Sequence, residues 1–388
     1  MPLAPASTDL GFFRSSESRD SKYDPAAIGL AFSGGGYRAS LFHAGAVIRL
    51  NELGILSKAS RIASVSGGSI TTGILAMNWD KIDWNGKSEG VATHEAMTEH
   101  FIKPLMDATS RSIDIGVSVL GFVPGISGGN QLARSYDKHI FRNKKLNTIT
   151  ASRRFLFCAA NLQTGGLVRF TKEYVADWQA FFSTTQNIKL SEAVAASSGF
   201  PPILAPLRLD LSGETVTAPA GARYDSEALR KNPVLVDGGV YDNIGLEPIW
   251  KRCGVLFASN AGSNNPAKVS QFRLGMMMRV VNTFLDVSVN WRERMLVNMF
   301  RNQLADGLKE RNGAYWTIKT PTQNLAWDGF KASPAQLAMA ADMATRLKKF
   351  PMEQQRAAVL SGYSYADATI RTFVLPEAPA PDAAPVLP

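Results

Sequence analysis

Arg61-Ile62-Ala63-Ser64-Val65-Ser66-Gly67-Gly68-Ser69-Ile70-Thr71-Thr72-Gly73-Ile74-Leu75-Ala76-Met77 is the stretch on which the fold turns. Its first five residues read as a short buried strand and Ser69 to Met77 as a helix, with Ser66 at the junction. A serine placed there sits on a sharp elbow, its side chain pushed outward while small neighbours let strand and helix close up. The pattern G-x-S-x-G places those small residues two before and two after the serine. Here they are Ser64, a small residue in place of glycine, and Gly68. The helix also turns its positive end toward Ser66, which favours an alkoxide or oxyanion.

A serine is a weak nucleophile without a base in hydrogen-bond reach. The chain has four histidines, His43, His94, His100 and His139, and all of them precede Asp237. The order serine, acid, histidine is therefore closed to Asp237, and a histidine, aspartate, serine order starting at His43 finds no Asp before Ser66. Asp237 is then to be weighed as the base itself. Asn232-Pro233-Val234-Leu235-Val236 reads as a buried strand, and Asp237 stands at its end before Gly238 and Gly239, whose lack of side chains allows close backbone approach. Strand ends are where open α/β sheets place their sites. Asp242-Asn243 reads as a turn or cap ahead of a helix over 244–252, and His43 as a packing residue on an amphipathic helix.

Nearer the start, Ala27 to Phe32 is strand-like, Ser33-Gly34-Gly35-Gly36-Tyr37-Arg38 forms a glycine loop, and Ala39 to Leu53 a helix ending at Gly54. Strand, glycine loop and helix make an anion cradle, whose amides suit either a phosphate or the oxyanion of a tetrahedral intermediate. A mononucleotide P-loop would end in Gly-Lys-Ser/Thr, which is missing, and Ala39 breaks the dinucleotide pattern.

With these blocks in order, the chain resembles the patatin-like phospholipases of bacterial type. That family combines a Gly-Gly-Gly-x-Arg-Gly loop, a G-x-S-x-G elbow and an Asp-Gly-Gly or Asp-Gly-Ala turn. This sequence supplies Gly34-Gly35-Gly36-Tyr37-Arg38, Ser66 and Asp237-Gly238-Gly239, with a further family-like block over Ala193 to Pro202. It departs at Ala39 and Ser64. The resemblance implies a three-layer α/β/α fold with a mostly parallel central sheet and additional C-terminal helices. It implies an acyl-enzyme at Ser66, with Asp237 as general base and then acid. An oxyanion hole is expected among Gly34, Gly35, Gly36, Tyr37, Arg38 and Gly67, supported by Gly68, Gly238 and Gly239. Arg38 would brace the loop or meet a substrate phosphate. The expected substrate is a phospholipid or another lipid ester. A general esterase of soluble esters and a catalytically weak lipid- or anion-binding protein are the competing readings.

The rest of the 388 residues fit one sizeable α/β enzyme with additions: a loose segment over 1–26, a core over 27–260, a helical extension over 261–375 and a Pro/Ala-rich disordered tail over 376–388. Residues 101–147 mix Gly116, Gly121, Gly125, Gly128 and Gly129 with apolar side chains, as a lid over a lipid groove would. No secretory signal or spanning helix is read, and Cys158 and Cys253, the latter ending a helix, are expected free and buried, which suits a cytoplasmic setting. No His/Cys/carboxylate cluster has metal-ligand spacing, and no cofactor is called for. The net charge of +9 attracts anionic partners. No nucleic-acid motif accompanies it, which leaves peripheral contact with an anionic membrane. Residues 267–312 hold eight Lys/Arg against four Asp/Glu, with Leu274, Met278, Val281, Leu285 and Val289 at helical spacing. Such a helix can lie on lipid, or pack inward with a solvated basic face. Trp291 is a candidate headgroup anchor.

Overall fold

A computed structural model describes residues 23–86, 88–113, 127–202, 204–262, 270–303 and 309–388. The strands are β1 (Asp24–Phe32), β2 (Ala59–Val65), β3 (Arg154–Asn161), β4 (Leu167–Phe170), β5 (Val175–Asp177), β6 (Phe181–Ser183), β7 (Leu207–Arg208), β8 (Val216–Thr217), β9 (Val234–Asp237), β10 (Cys253–Asn260) and β11 (Asn312–Thr317). The helices that matter below are α1 (Gly36–Glu52), α2 (Gly67–Asn78), α3 (Gly128–Tyr136), α4 (Leu190–Ser198), α5 (Gly239–Asp242), α6 (Arg273–Arg301), α7 (Pro334–Asp342) and α8 (Met352–Phe373).

One sheet runs β11-β10-β1-β2-β3, all parallel, and continues through antiparallel β4, β5, β6 and β8. The parallel centre is buried on both faces. Period-2 alternation sends Leu30, Phe32, Ile62, Phe155 and Phe157 to one side, against α1 and its neighbours, and Ala31, Ala63, Leu156 and Leu256 to the other, against Ile249 and the Leu296 and Met299 end of α6. The architecture is the expected three-layer α/β/α arrangement.

β9 gives the sheet its site. β2 occupies one edge of β3 as far as the Val65–Cys158 pair, and β9 comes in antiparallel on the same edge from the Asp237–Ala159 pair onward. β4 holds the opposite edge. The C-terminal ends of β2 and β9 thus meet head-on over two consecutive residues of β3. Gly238 is forced by that junction, because a Cβ there would lie 2.1 Å from the Cys158 carbonyl oxygen.

Helix α1 is buried along almost its whole length, sandwiched between the sheet and α8. The two helices touch backbone to backbone, since a Cβ on Gly45 would come within 1.8 Å of the Val359 oxygen and one on Gly362 within 1.7 Å of the Phe42 oxygen. Asp367 on α8 is fully buried and surrounded by cations: Arg49 Nη2 at 2.8 Å, Lys331 Nζ at 2.7 Å and Arg371 Nε at 3.2 Å.

Several expectations change. The C-terminal extension also contributes a strand, β11, paired in parallel with β10. Cys253 opens β10 instead of ending a helix, and the helix expected over 244–252 shortens to Glu247–Trp250. The 376–388 stretch is not a loose tail. Although it lacks regular structure, its Pro379, Pro381 and Pro388 carbonyls accept from Arg49, the Phe330 amide and Arg356, and Pro381 and Pro385 are buried. Proline removes donors but leaves carbonyls, so such a stretch is held mainly through its acceptors. Of the 101–147 region, 114–126 and with it Gly116, Gly121 and Gly125 lie outside the described residues, as do residues 1–22. The flanking Phe101, Leu105, Leu132 and Tyr136 are core residues.

Candidate active site

Ser66 stands at the junction of β2 and α2 with φ 52° and ψ −119°, a left-handed conformation that a side chain rarely adopts. Ser197 holds it there. Its amide N–H donates to Ser197 at the end of α4, 3.0 Å from the hydroxyl and 3.1 Å from the carbonyl oxygen. The same Ser197 carbonyl accepts the Gly238 amide at 3.1 Å, and the Asp237 amide donates to the Gly199 carbonyl at 2.9 Å. The end of α4, the family-like block over Ala193 to Pro202, therefore staples the serine elbow to the aspartate turn.

Ser64 is more than a tolerated substitute for glycine. Its buried hydroxyl accepts from Thr72 at 2.7 Å and Ser69 at 3.0 Å, and Ser69 in turn lies 2.8 Å from the Ser197 hydroxyl. This hydroxyl network backs the elbow from inside the protein, at buried positions where an unpaired donor is costly.

The Ser66 side chain is near enough to the Asp237 carboxyl to favour its ionised form. Asp237 also accepts the Gly239 amide at 2.8 Å. Burial pushes this carboxyl up to about 7, and the Gly239 amide and the nearby Ser66 hydroxyl restrain the rise. Tyr136, whose hydroxyl lies 3.0 Å from that of Ser198, is a buried neighbour of the carboxyl that no local motif announces. The histidines stand apart from this pair. His43 is fully buried, its ring nitrogens each 2.9 Å from the Ser259 hydroxyl and the Ser33 carbonyl, and burial depresses it to about 3, so it is a neutral packing residue. His94 and His139 are exposed elsewhere.

The glycine loop closes over the elbow. Gly35 and Gly36 take φ of 139° and 60°, where glycine is favoured, and Gly67 packs so tightly that a Cβ on it would lie 2.1 Å from the Gly36 oxygen. The Gly68 amide donates to Ser33 O at 3.1 Å, and Ser40 Oγ donates to Gly67 O at 2.8 Å.

The expected set of oxyanion donors narrows here. The Gly34 amide is taken by Asn243 O and the Tyr37 amide by Arg346 O, each at 3.0 Å. Arg38 is buried, donating to the carbonyls of Met343, at 2.8 Å, and Gly262. It braces the loop instead of facing a substrate phosphate, and burial lowers it to about 10. Of the expected set this leaves Gly35, Gly36 and Gly67.

Asp242 and Asn243 do more than turn the chain. Asp242 is fully buried and accepts the amides of Ile244, Gly245 and Glu247, while Arg292 of α6 lies 3.2 Å from it. The Asn243 carboxamide fills the corner between the loop and the aspartate turn. A Cβ on Gly34 would fall 2.2 Å from its Oδ1 and 3.1 Å from Ser66 Cβ, and one on Gly239 would fall 2.6 Å from the same Oδ1.

Two solved structures of human GIVD cytosolic phospholipase A2 share this fold. One superposes with a TM-score of 0.55 at 12% identity, over 89% of this chain and 59% of that one. The other, in complex with methyl gamma-linolenyl fluorophosphonate, gives 0.50 at 13% identity, over 89% and 58%. The chain thus spans less than two thirds of the length of these relatives. No curated protein matches the sequence. The family model described as patatin-like phospholipase matches residues 30–250, which hold the glycine loop, the elbow, the α4 staple and the aspartate turn. With more than half of its length under that match, the chain belongs to the patatin-like phospholipase family.

Proposed function

We propose that the protein is a lipid acyl hydrolase of phospholipase A type, working through Ser66 and Asp237. The observation that carries this reading is a serine on a strained elbow beside a fully buried carboxyl raised to about 7. A carboxylate of ordinary acidity would be a poor acceptor for a serine proton, and burial makes this one a stronger base near neutral pH.

In the first half-reaction, Ser66 Oγ attacks the ester carbonyl carbon as its proton passes to Asp237. The carbonyl oxygen takes up negative charge and is met by amides of Gly35, Gly36 and Gly67 at the positive end of α2. Collapse expels the alcohol, which takes the proton back from Asp237 and leaves an acyl-enzyme on Ser66. A water molecule then attacks that ester, again delivering its proton to Asp237, and the released serine recovers it as the fatty acid departs. Family membership favours lipid esters over small soluble esters.

Human GIVD cytosolic phospholipase A2 is solved with a fluorophosphonate bound, and the same reagent class tests this chain directly. Labelling followed by intact-mass measurement should show one adduct on the wild type and none on Ser66→Ala. A wild type that stays unmodified overturns the hydrolase reading. Release of fatty acid from mixed phospholipids should fall by at least about a thousandfold in Ser66→Ala and Asp237→Asn.

A further inference from the structure

Helix α6 carries two apolar stripes, one half-buried and one facing solvent. Met278, Val281, Leu285 and Val289, the positions that read as amphipathic in the sequence, are half-buried. A second set, Met276, Met277, Val280, Phe284, Val287 and Trp291, faces solvent, with Phe284 71% and Trp291 66% exposed. At 3.6 residues per turn these six fall within roughly 100° of the helix circumference. Phe272, 82% exposed, extends the stripe past the helix start. A continuous apolar strip of this kind differs from the single exposed side chains that any surface carries.

We propose that this face of α6 is a docking surface for an anionic lipid bilayer. The proposal deepens the lipid-hydrolase reading and rests on it for its biological sense. Charge selects the occupant. Arg273 lies within the stripe at its start and Arg294 borders it near its end, both exposed, and the Arg294 guanidinium sits 5.8 Å from the Trp291 ring centroid. The acidic residues of the helix, Asp286 and Glu293, project from the far side. Apolar side chains rimmed by arginine, with tryptophan at the boundary, match an anionic bilayer surface. A second copy of the same stripe would set arginine against arginine with no acid between them.

Position supports the same occupant. The second half of α6 is tied to the aspartate turn: Ser288 Oγ donates to the Tyr241 carbonyl at 3.2 Å, Arg292 reaches Asp242 at 3.2 Å, and its guanidinium lies 5.6 Å from the Tyr241 ring centroid. Val240, three residues after Asp237, is itself exposed. A bilayer seated on α6 is therefore next to the turn that carries Asp237.

Co-sedimentation of Ser66→Ala with vesicles tests the proposal without hydrolysis. Phosphatidylcholine vesicles containing phosphatidylglycerol should pull the protein down, pure phosphatidylcholine should do so less, and added salt should weaken the difference. Adding Val280→Glu and Phe284→Glu should lower the bound-to-free ratio by about tenfold or more, and Phe284→Leu should largely retain it. In the wild-type background the double variant should cleave a soluble short-chain ester at the unaltered rate. Absence of vesicle binding, or binding that survives both glutamates, overturns the proposal. So does a concentration-dependent dimer in sedimentation velocity that the glutamates dissolve while vesicles go unbound. If vesicles bind but the wild type neither labels with fluorophosphonate nor cleaves esters, the hydrolase reading fails and the docking surface stands.

Discussion

The buried carboxyl of Asp237 links activity and stability to pH in opposite directions. As the proposed base it must be ionised, so log kcat/KM on a soluble ester should fall with unit slope as pH drops below about 7. For stability, a carboxyl raised from 3.8 when unfolded to about 7 when folded holds its proton more tightly in the folded state. Stability is then lost as pH rises between those values, and the loss is complete above about 7. Asp237→Asn cannot ionise, so its stability relative to wild type should climb across that window, read as the difference in urea midpoint at pH 4.5 and pH 8. A constant difference would mean that the carboxyl does not titrate there. Ser66 and Asp237 were legible in the sequence because their requirements are local: small residues beside a turn, and a strand just before it. Asn243, Tyr136 and the Ser197 carbonyl were not. Each acts through contacts with residues far away in sequence, and no neighbouring residue type records such a contact. Arg38 was legible as a member of the loop, but its direction depends on Met343 and Gly262, which the local pattern does not contain.

Among the elements, the pair α1 and α8 shows how packing outruns pattern. Each helix reads as an ordinary apolar segment, yet they meet at Gly45 and Gly362 with no room for a methyl group. Gly362→Ala should cost about 1–3 kcal/mol through overpacking, even though alanine is the better helix former. Urea unfolding checks this, and a neutral or stabilising result would mean that the helices separate freely. The parallel strands β1 and β2 were readable as apolar runs before glycine or serine turns, whereas the opening of β10 reads as the end of a helix. Strand β11 was not readable, since Asn312-Gly313-Ala314-Tyr315-Trp316-Thr317 has few aliphatic residues and becomes a strand by pairing with β10. The orientation of β9 was also hidden, because a four-residue strand looks the same whether it pairs in parallel or antiparallel.

Over the whole molecule, the C-terminal third is fastened to the core by charge as well as by packing. Asp367 pairs with Arg49 of α1, Lys331 ahead of α7 and Arg371 of its own helix, and Arg49 continues to the Pro379 carbonyl. Asp367→Asn removes the carboxylate from Lys331 and leaves Arg49 and Arg371 to Glu52 and Asp328, and should cost about 3–5 kcal/mol, with the 376–388 segment becoming more sensitive to protease. An unchanged urea midpoint would show that solvent reaches the cluster. Among the described residues no helix is long and apolar enough to cross a membrane. The composition announced a large α/β core and a basic surface, but the distribution of that charge along one face of α6 became visible only with the helix in place.

The strands that deliver Ser66 and Asp237 are not hydrogen-bonded to each other; each takes its position from β3, one residue apart. That strand acts as a ruler, with the end of α4 as its clasp, and the rest of the chain between its contacts with β2 and β9 is not part of the measurement. Insertions or deletions between α2 and β3, or in the turns between β4 and β6, can therefore reshape whatever surrounds the serine and the aspartate while the spacing between the two stays fixed. A fold built this way can change its substrates by altering loops without having to rebuild its chemistry.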